Sequence, residues 1–352
     1  MYLKSLELIK RIFITIIGVI LLTVIFLLVF FRNELYTLKS LEIINGHPLY
    51  GMTYRGDYHF NEFLEVGAKN DMELEKFLRN RLVRGRKLNL NIPSVSCTAF
   101  TAINEYGEQI YGRNFDYRYA PTLLLKTNPS NGYASISMVN LAFAGYTKDN
   151  LPKRYSLGTI PVLSAPYLPF DGMNECGVAI SVLAVPDAQP PKDTDKIYLN
   201  TTTAIRLVLD KASNVNEAMG LLEKYNYYFT SDIDVHYLLS DASGKTVIAS
   251  FEDNKVKFYE TYSNYQIASN FSFRDLNIHD YNNDCNRYST AFNKLSKNNG
   301  VLTEYEAIKL LEDIIIDGKT QWSVLYNQIT GKVIVYMNMN FDNPYIFSLD
   351  ML

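Results

Sequence analysis

The chain has 352 residues, 47% of them hydrophobic and 20% charged, a balance that supports a sizeable core and excludes a disordered polypeptide. Its net charge of −3 gives no electrostatic basis for binding nucleic acid. The 27 Tyr and 19 Phe suit a strand-rich fold or a substrate cleft.

In chain order, the first element is the run from Ile12 to Phe31, which carries no charge and has only Thr15, Gly18 and Thr23 as non-hydrophobic members. At ~1.5 Å rise per residue such a helix spans the ~30 Å hydrocarbon core of a bilayer. The sequence FRNELYTLKS that follows has no small-residue cleavage pattern, so an uncleaved signal-anchor is expected over 12–31. Lys4, Lys10 and Arg11 precede the run, which places residues 1–11 in the cytoplasm and the large remainder outside the cell membrane.

Residues 33–67 are aromatic-rich and show no clear period. Apolar spacing over 71–84 predicts a helix with Asp71 as N-cap. The stretch NRLVRGRK (80–87), the most basic of the chain, reads as a solvated helix end and loop. Strands are predicted at 135–145, 178–185, 235–241, 246–251, 256–260, 264–270, 322–327 and 332–339. Helices are predicted at 201–212, 215–225, 286–295 and 303–316, the last opened by a Thr303–Glu306 capping box. Strands, a helix pair, more strands and more helices predict an α+β layered sandwich, two sheets covered by helices. No metal-binding spacing and no Gly-rich phosphate loop is present, so neither metal nor nucleotide cofactor is expected.

The stretch SVSCTAFTAINEYGEQIYGRNFDY (94–117) concentrates chemistry. Two runs flank the turn signal Asn-Glu-Tyr-Gly at 104–107, so they should form a hairpin. With Glu105 and Tyr106 central, Cys97 pairs with Asn114, beside Arg113 and within reach of Asp116. A neighbouring arginine lowers a thiol pKa and favours the thiolate. The missing part is a base, since His47, His59, His236 and His279 all lie far from Cys97 in sequence. An N-terminal cysteine would supply its own base, because an α-amine titrates near ~7.7–8.0. His236 reads as a satisfied core histidine, and Asn174 and Glu175 as residues shaping a turn. Cys176 and Cys285 leave an external disulfide open.

Cys-Thr-Ala-Phe followed by Gly-Arg-Asn-Phe-Asp-Tyr resembles the N-terminal-nucleophile (Ntn) hydrolases of the choloylglycine hydrolase group. That group includes bile salt hydrolases, penicillin V acylases and, more distantly, acid ceramidase and the N-acylethanolamine amidase. DGMNECGVAISVLAVP (171–186), ASNFSF (268–273) and NRYSTAF (286–292) are similar to three further blocks of the family, in the same order. The resemblance implies a four-layer αββα Ntn sandwich over 97–352, behind the transmembrane helix and a pro-segment at 32–96. It implies Cys97 as nucleophile, freed by autocatalytic cleavage of the Ser96–Cys97 bond. Arg113 would contact the nucleophile and Asp116 would bind its amine. Asn270 would donate to the oxyanion with a backbone N–H near Ala184, and Arg287 would hold the charge network. Bile salt hydrolases carry an asparagine, and penicillin V acylases a tyrosine, where this chain has Ala184. The long leader resembles the pro-segment of the ceramidase-like branch, which stays associated after cleavage. The implied activity is hydrolysis of linear, non-peptide C–N amide bonds in a small-molecule N-acyl amide, through an acyl-thioester. Acyl transfer on the same fold and a catalytically inactive, membrane-displayed binding protein are the alternatives, and homo-oligomerisation is left open.

Overall fold

Helix α1 (Tyr2–Phe30) is apolar on every side from Ile12 onwards, and none of the stretch Lys10–Phe30 is buried. Its length and composition make it a candidate membrane span. The computed structural model describes residues 2–46, 48–88, 90, 96–273 and 285–352, without the side chains of 2–6, 8 and 9. The Lys4 side chain, His47, His279 and most of the loop leading to Cys97 lie outside the described residues.

Helix α2 (Arg32–Ser40) follows α1 with Phe31 alone between them. Strands β1 (Glu42–Asn45) and β2 (Leu49–Thr53) come next, then α3 (Phe60–Val66) and α4 (Asp71–Arg81). The N-cap of α4 is Asn70, not Asp71: the Asn70 side chain accepts from Glu73 N at 3.0 Å, and Asp71 sits in the first turn. The hairpin strands are β3 (Ser96–Ile103) and β4 (Gln109–Asp116). Strands β5 (Thr122–Thr127), β6 (Ser135–Asn140), β7 (Pro169–Asn174), β8 (Ala179–Ala184) and β9 (Tyr198–Asn200) lead to α5 (Thr201–Lys211) and α6 (Val215–Leu222). Then follow β10 (Asn226–Tyr228), β11 (Val235–Ser240), β12 (Thr246–Glu252), β13 (Lys255–Glu260) and β14 (Gln266–Ala268). The chain closes with α7 (Asn286–Lys297), α8 (Glu304–Asp313), β15 (Thr320–Asn327), β16 (Lys332–Met337) and β17 (Tyr345–Ser348).

Among the described residues, nine strands form one sheet in the order β1-β2-β5-β6-β7-β8-β11-β12-β13, and six form a second in the order β14-β3-β4-β15-β16-β17. Helices α5 and α6 cover the outer face of the first sheet, and α7 and α8 that of the second. The alternation of side chains along β3 explains the layering. Phe100 and Ala102 point outward into a cluster with Ala291, Leu295, Leu310 and Leu311 of the helices. Cys97 and Ala99 point inward, toward the first sheet, with Tyr111, Phe115 and Trp322. Gly112 on β4 makes room for this: a Cβ there would lie 2.4 Å from the Phe100 ring. The result is the four-layer αββα sandwich.

The predicted elements differ from the observed ones mainly where side chains bend the backbone. The run 135–145 stops as a strand at Asn140, whose side chain accepts from Ala142 N and starts a 3₁₀ turn at Leu141–Ala144. Helix α6 ends at Leu222, because 226–228 is drawn into parallel pairing with β9. Thr303 and Glu306 form the expected capping box. The segment before Cys97 also enters the fold: β2 pairs in parallel with β5, and the Tyr58 hydroxyl donates to Asp210 Oδ2 at 2.7 Å. Asp210 is itself paired with the buried Arg206.

Candidate active site

The hairpin register decides what faces Cys97. Asn104 folds over the turn, its Oδ1 accepting from Tyr106 N and Glu108 N, and Gly107 takes φ +80°. Residues 104–108 thereby form the loop, Ile103 pairs with Gln109, and Cys97 pairs with Phe115 rather than Asn114. This one-residue shift from the sequence expectation moves alternate side chains to opposite faces. Arg113 lands on the same inward face as Cys97. Asn114 turns to the helix layer, where its Nδ2 donates to Leu311 O at 2.8 Å and Ile314 O at 3.2 Å, closing the end of α8.

On the inward face, Arg113 Nη2 lies 3.0 Å from Cys97 Sγ and 2.8 Å from Val182 O, and Nη1 is paired with Asp171. Asp171 also accepts from Tyr326 OH at 2.5 Å and Trp322 Nε1 at 3.2 Å. All five side chains are buried, so the guanidinium charge is matched by a carboxylate held from three sides. Burial pushes the Cys97 thiol above its ordinary pKa; Arg113 opposes this without overcoming it. The simple expectation that the arginine yields a thiolate therefore fails in the uncut chain, because desolvation of a fully buried sulfur outweighs one nearby charge.

The backbone nitrogen of Cys97 donates to Asn270 Oδ1 at 2.8 Å. Arg287 Nη2 donates to the same oxygen at 2.9 Å, and Asn270 Nδ2 donates to Ala184 O at 2.8 Å. Two donors on one atom fix the amide orientation: Oδ1 toward Cys97, Nδ2 toward β8. Asp116 sits across the strand pair from Ser96. It accepts from Arg287 Nη1 at 2.9 Å and Thr320 Oγ1 at 2.6 Å, and Arg287 Nη1 also donates to Thr98 Oγ1 at 2.7 Å. Burial raises the Asp116 pKa, with Thr320 and Arg287 opposing. Thus Cys97, Arg113, Asn270, Ala184, Asp116 and Arg287 fall into one connected hydrogen-bond network, with the Cys97 nitrogen on Asn270 rather than on Asp116.

Asn174 shapes structure: its Nδ2 closes the end of α5 through Leu209 O and Ala212 O, and its Oδ1 organises the turn at Cys176 and Val178. His236 is fully buried, and neither ring nitrogen has a well-formed hydrogen-bond partner among the described residues. Burial takes its pKa down to about 3, against a backbone hydrogen bond with Ser269 that raises it. Cys176 and Cys285 are free thiols. No group of His, Cys, Asp and Glu fit to hold a metal occurs among the described residues.

Sequence reasoning missed Asp171, Trp322 and Tyr326. The signal was a carboxylate inside the strand PFDGMN, where an inward charge needs a buried cation. At Cys285 burial raises the thiol pKa, but the Ser269 hydroxyl, the Tyr288 and Arg287 backbone and the Arg287 charge bring it below the usual value. Iodoacetamide is accordingly expected to alkylate Cys285 ahead of Cys97 in the uncut fraction, isolated by intact mass. Peptide mapping that finds Cys97 modified first would contradict the burial of its sulfur.

The family described as linear amide C–N hydrolases, choloylglycine hydrolase family, matches residues 97–305. A conjugated bile acid hydrolase from Clostridium perfringens superposes with a TM-score of 0.52 at 15% identity, over 72% of this chain and 92% of that one. Penicillin V acylase from Agrobacterium tumefaciens gives 0.50 at 18% identity, over 72% and 86%. These likenesses identify the fold as that of the Ntn hydrolases. No curated protein matches the chain.

Proposed function

The chain belongs to the choloylglycine hydrolase family of linear amide C–N hydrolases, and on that premise we propose that it cleaves small-molecule N-acyl amides with Cys97 as nucleophile. The observation that carries this reading is the pair of contacts on one residue, Arg113 on the Cys97 sulfur and Asn270 on its nitrogen. Once the Ser96–Cys97 bond is cut, the nitrogen becomes an α-amine beside the thiol and takes its proton. The thiolate attacks the amide carbonyl, the amine leaves with a proton, and water resolves the thioester to the acid. The second hydrogen on Asn270 Nδ2 is the side-chain donor for the oxyanion. Val185 N–H, near Ala184, is already engaged by Asp234 O at 2.9 Å and so adds nothing there. One such oxyanion donor is typically worth ~10²–10³ in kcat.

The N-terminal helix supports a second part of the reading, that α1 anchors the protein to the membrane and the sandwich lies on the outer side. The test of the chemistry is a panel of N-acyl amides offered to the full chain with and without an added amine acceptor. Release of free acid, absent in Cys97→Ala, is expected. Acyl transfer to the amine in its place would assign a transferase, and no turnover in processed protein would leave the inactive binding protein as the better reading.

A further inference from the structure

Helical hydrogen bonds run through the junction of α1 and α2: Phe31 N donates to Leu27 O and Leu35 N to Phe31 O, both at 2.9 Å. Helix α2 is in turn fastened to the sandwich. Thr37 is buried, and its hydroxyl accepts from Arg55 N at 2.8 Å; Ser40 Oγ accepts from Thr53 N at 3.1 Å. Gly56 lies so close that a Cβ on it would sit 2.7 Å from Asn33 Nδ2. The apolar helix therefore enters the folded domain without a linker, and the surface around the first turn of α2 is held at the level where the apolar stretch ends.

That surface carries the most basic stretch of the sequence. The Arg84 guanidinium lies 4.9 Å from the centroid of the Phe31 ring and 2.5 Å from Glu34. A cavity of about 220 Å³ at the foot of α1 is lined by Phe30, Asn33, Tyr54, Arg55, Arg81 and Arg84, among others. Arg81 and Arg84 are paired with Glu62 and Glu34. Arg32 and Arg55 are exposed and have no carboxylate partner among the described residues, whereas Lys87 lines a separate cavity with Asp71 and Glu75. Arg32 opens α2 and Arg55 lines the cavity at the foot of α1, so both unpaired cations stand where the apolar helix meets the domain. Phe30, Phe31 and the exposed Tyr36 add the aromatic residues that favour a membrane–water boundary.

We propose that Arg32 and Arg55 rest on the anionic phospholipid headgroups of the leaflet from which α1 emerges. This rests on the reading of α1 as a membrane span. The contact fixes the tilt and rotation of the sandwich over the bilayer. Attraction of this kind is short-ranged and screened by salt.

The test uses the full chain in nanodiscs of phosphatidylcholine alone and with phosphatidylglycerol mixed in, read by amide hydrogen exchange over 32–40. Exchange slowed by about fivefold in the anionic discs, reversed by high salt and lost in Arg32→Glu/Arg55→Glu, is expected. Equal exchange in both discs overturns the inference while α1 stands as an anchor. Failure of the chain to float with neutral vesicles and resist carbonate extraction overturns the span, and this inference with it. Because the two substituted residues are exposed, unchanged amidase activity in detergent reports that the variant is folded.

Discussion

Full-length protein is expected to resolve into two polypeptides, one starting at Cys97, while Cys97→Ala remains a single chain. On the proposed reading Cys97 Sγ, held by Arg113, attacks the Ser96 carbonyl of the uncut chain. That attack breaks the Ser96–Cys97 C–N bond, freeing the Cys97 amine and leaving Ser96 as a thioester on Sγ; water then hydrolyses the thioester, releasing the Ser96 carboxylate and returning the thiol. Asp116 lies across the strand pair from Ser96, and Asn270 already holds the nitrogen that becomes the amine. N-terminal sequencing and intact mass check the outcome. An uncut wild-type chain, inert over days, would refute self-processing.

The two pieces are also expected to stay together after the cut. Strand β2 contributes main-chain pairing to β5 from Leu49–Thr122 to Thr53–Lys126. Tyr58 from the leader reaches Asp210 in the buried Arg206 pair. Main-chain ladders and buried hydrogen bonds are not screened by salt, so urea, and not high salt, should release the fragment that begins at Cys97. Release by salt alone would show that the leader is held by surface charge.

The second large effect is expected from Asp171→Asn. Arg113 is fully buried, and Asp171 is its carboxylate partner. Removing one partner of a buried pair leaves an uncompensated charge and costs about 3–5 kcal/mol. For a chain of this size that lowers Tm by roughly 10 °C. Activity should fall as well, because the guanidinium is no longer held against the Cys97 sulfur. A double variant, Arg113→Met with Asp171→Leu, separates the two effects. Replacing both charges should recover much of the stability, yet leave amide hydrolysis at the Cys97→Ala level. Recovery of activity along with stability would mean that Arg113 serves the fold and not the nucleophile.

Much of the architecture was legible because periodicity reports burial directly. The alternation in β11, β12, β15 and β16 and the helical spacing of α5, α7 and α8 gave two strand groups and two helix pairs. Strands β5 and β17 escaped: TLLLKT is too apolar to alternate, and YIFS is a short edge strand whose pairing with β16 is made by tertiary contact. The site was legible as residue types near Cys97, together with the family resemblance of four blocks. It was not legible as geometry.

The sequence by itself determined the apolar helix at the N-terminus and the α+β class, and it pointed to Cys97, Arg113 and Asp116 from one hairpin and to Asn270 and Arg287 from the family resemblance. The tertiary structure decided which of these touch. A turn closed by Asn104 and Gly107 set the hairpin register, and that single residue of shift placed Arg113 on the sulfur and sent Asn114 to the helix layer. Packing against the nine-stranded sheet supplied Asp171 from far along the chain, and full burial pushes the thiol pKa up against the neighbouring arginine. Side-chain direction in a strand alternates with every residue, and desolvation depends on everything packed around a group. Neither quantity exists until the layers have closed.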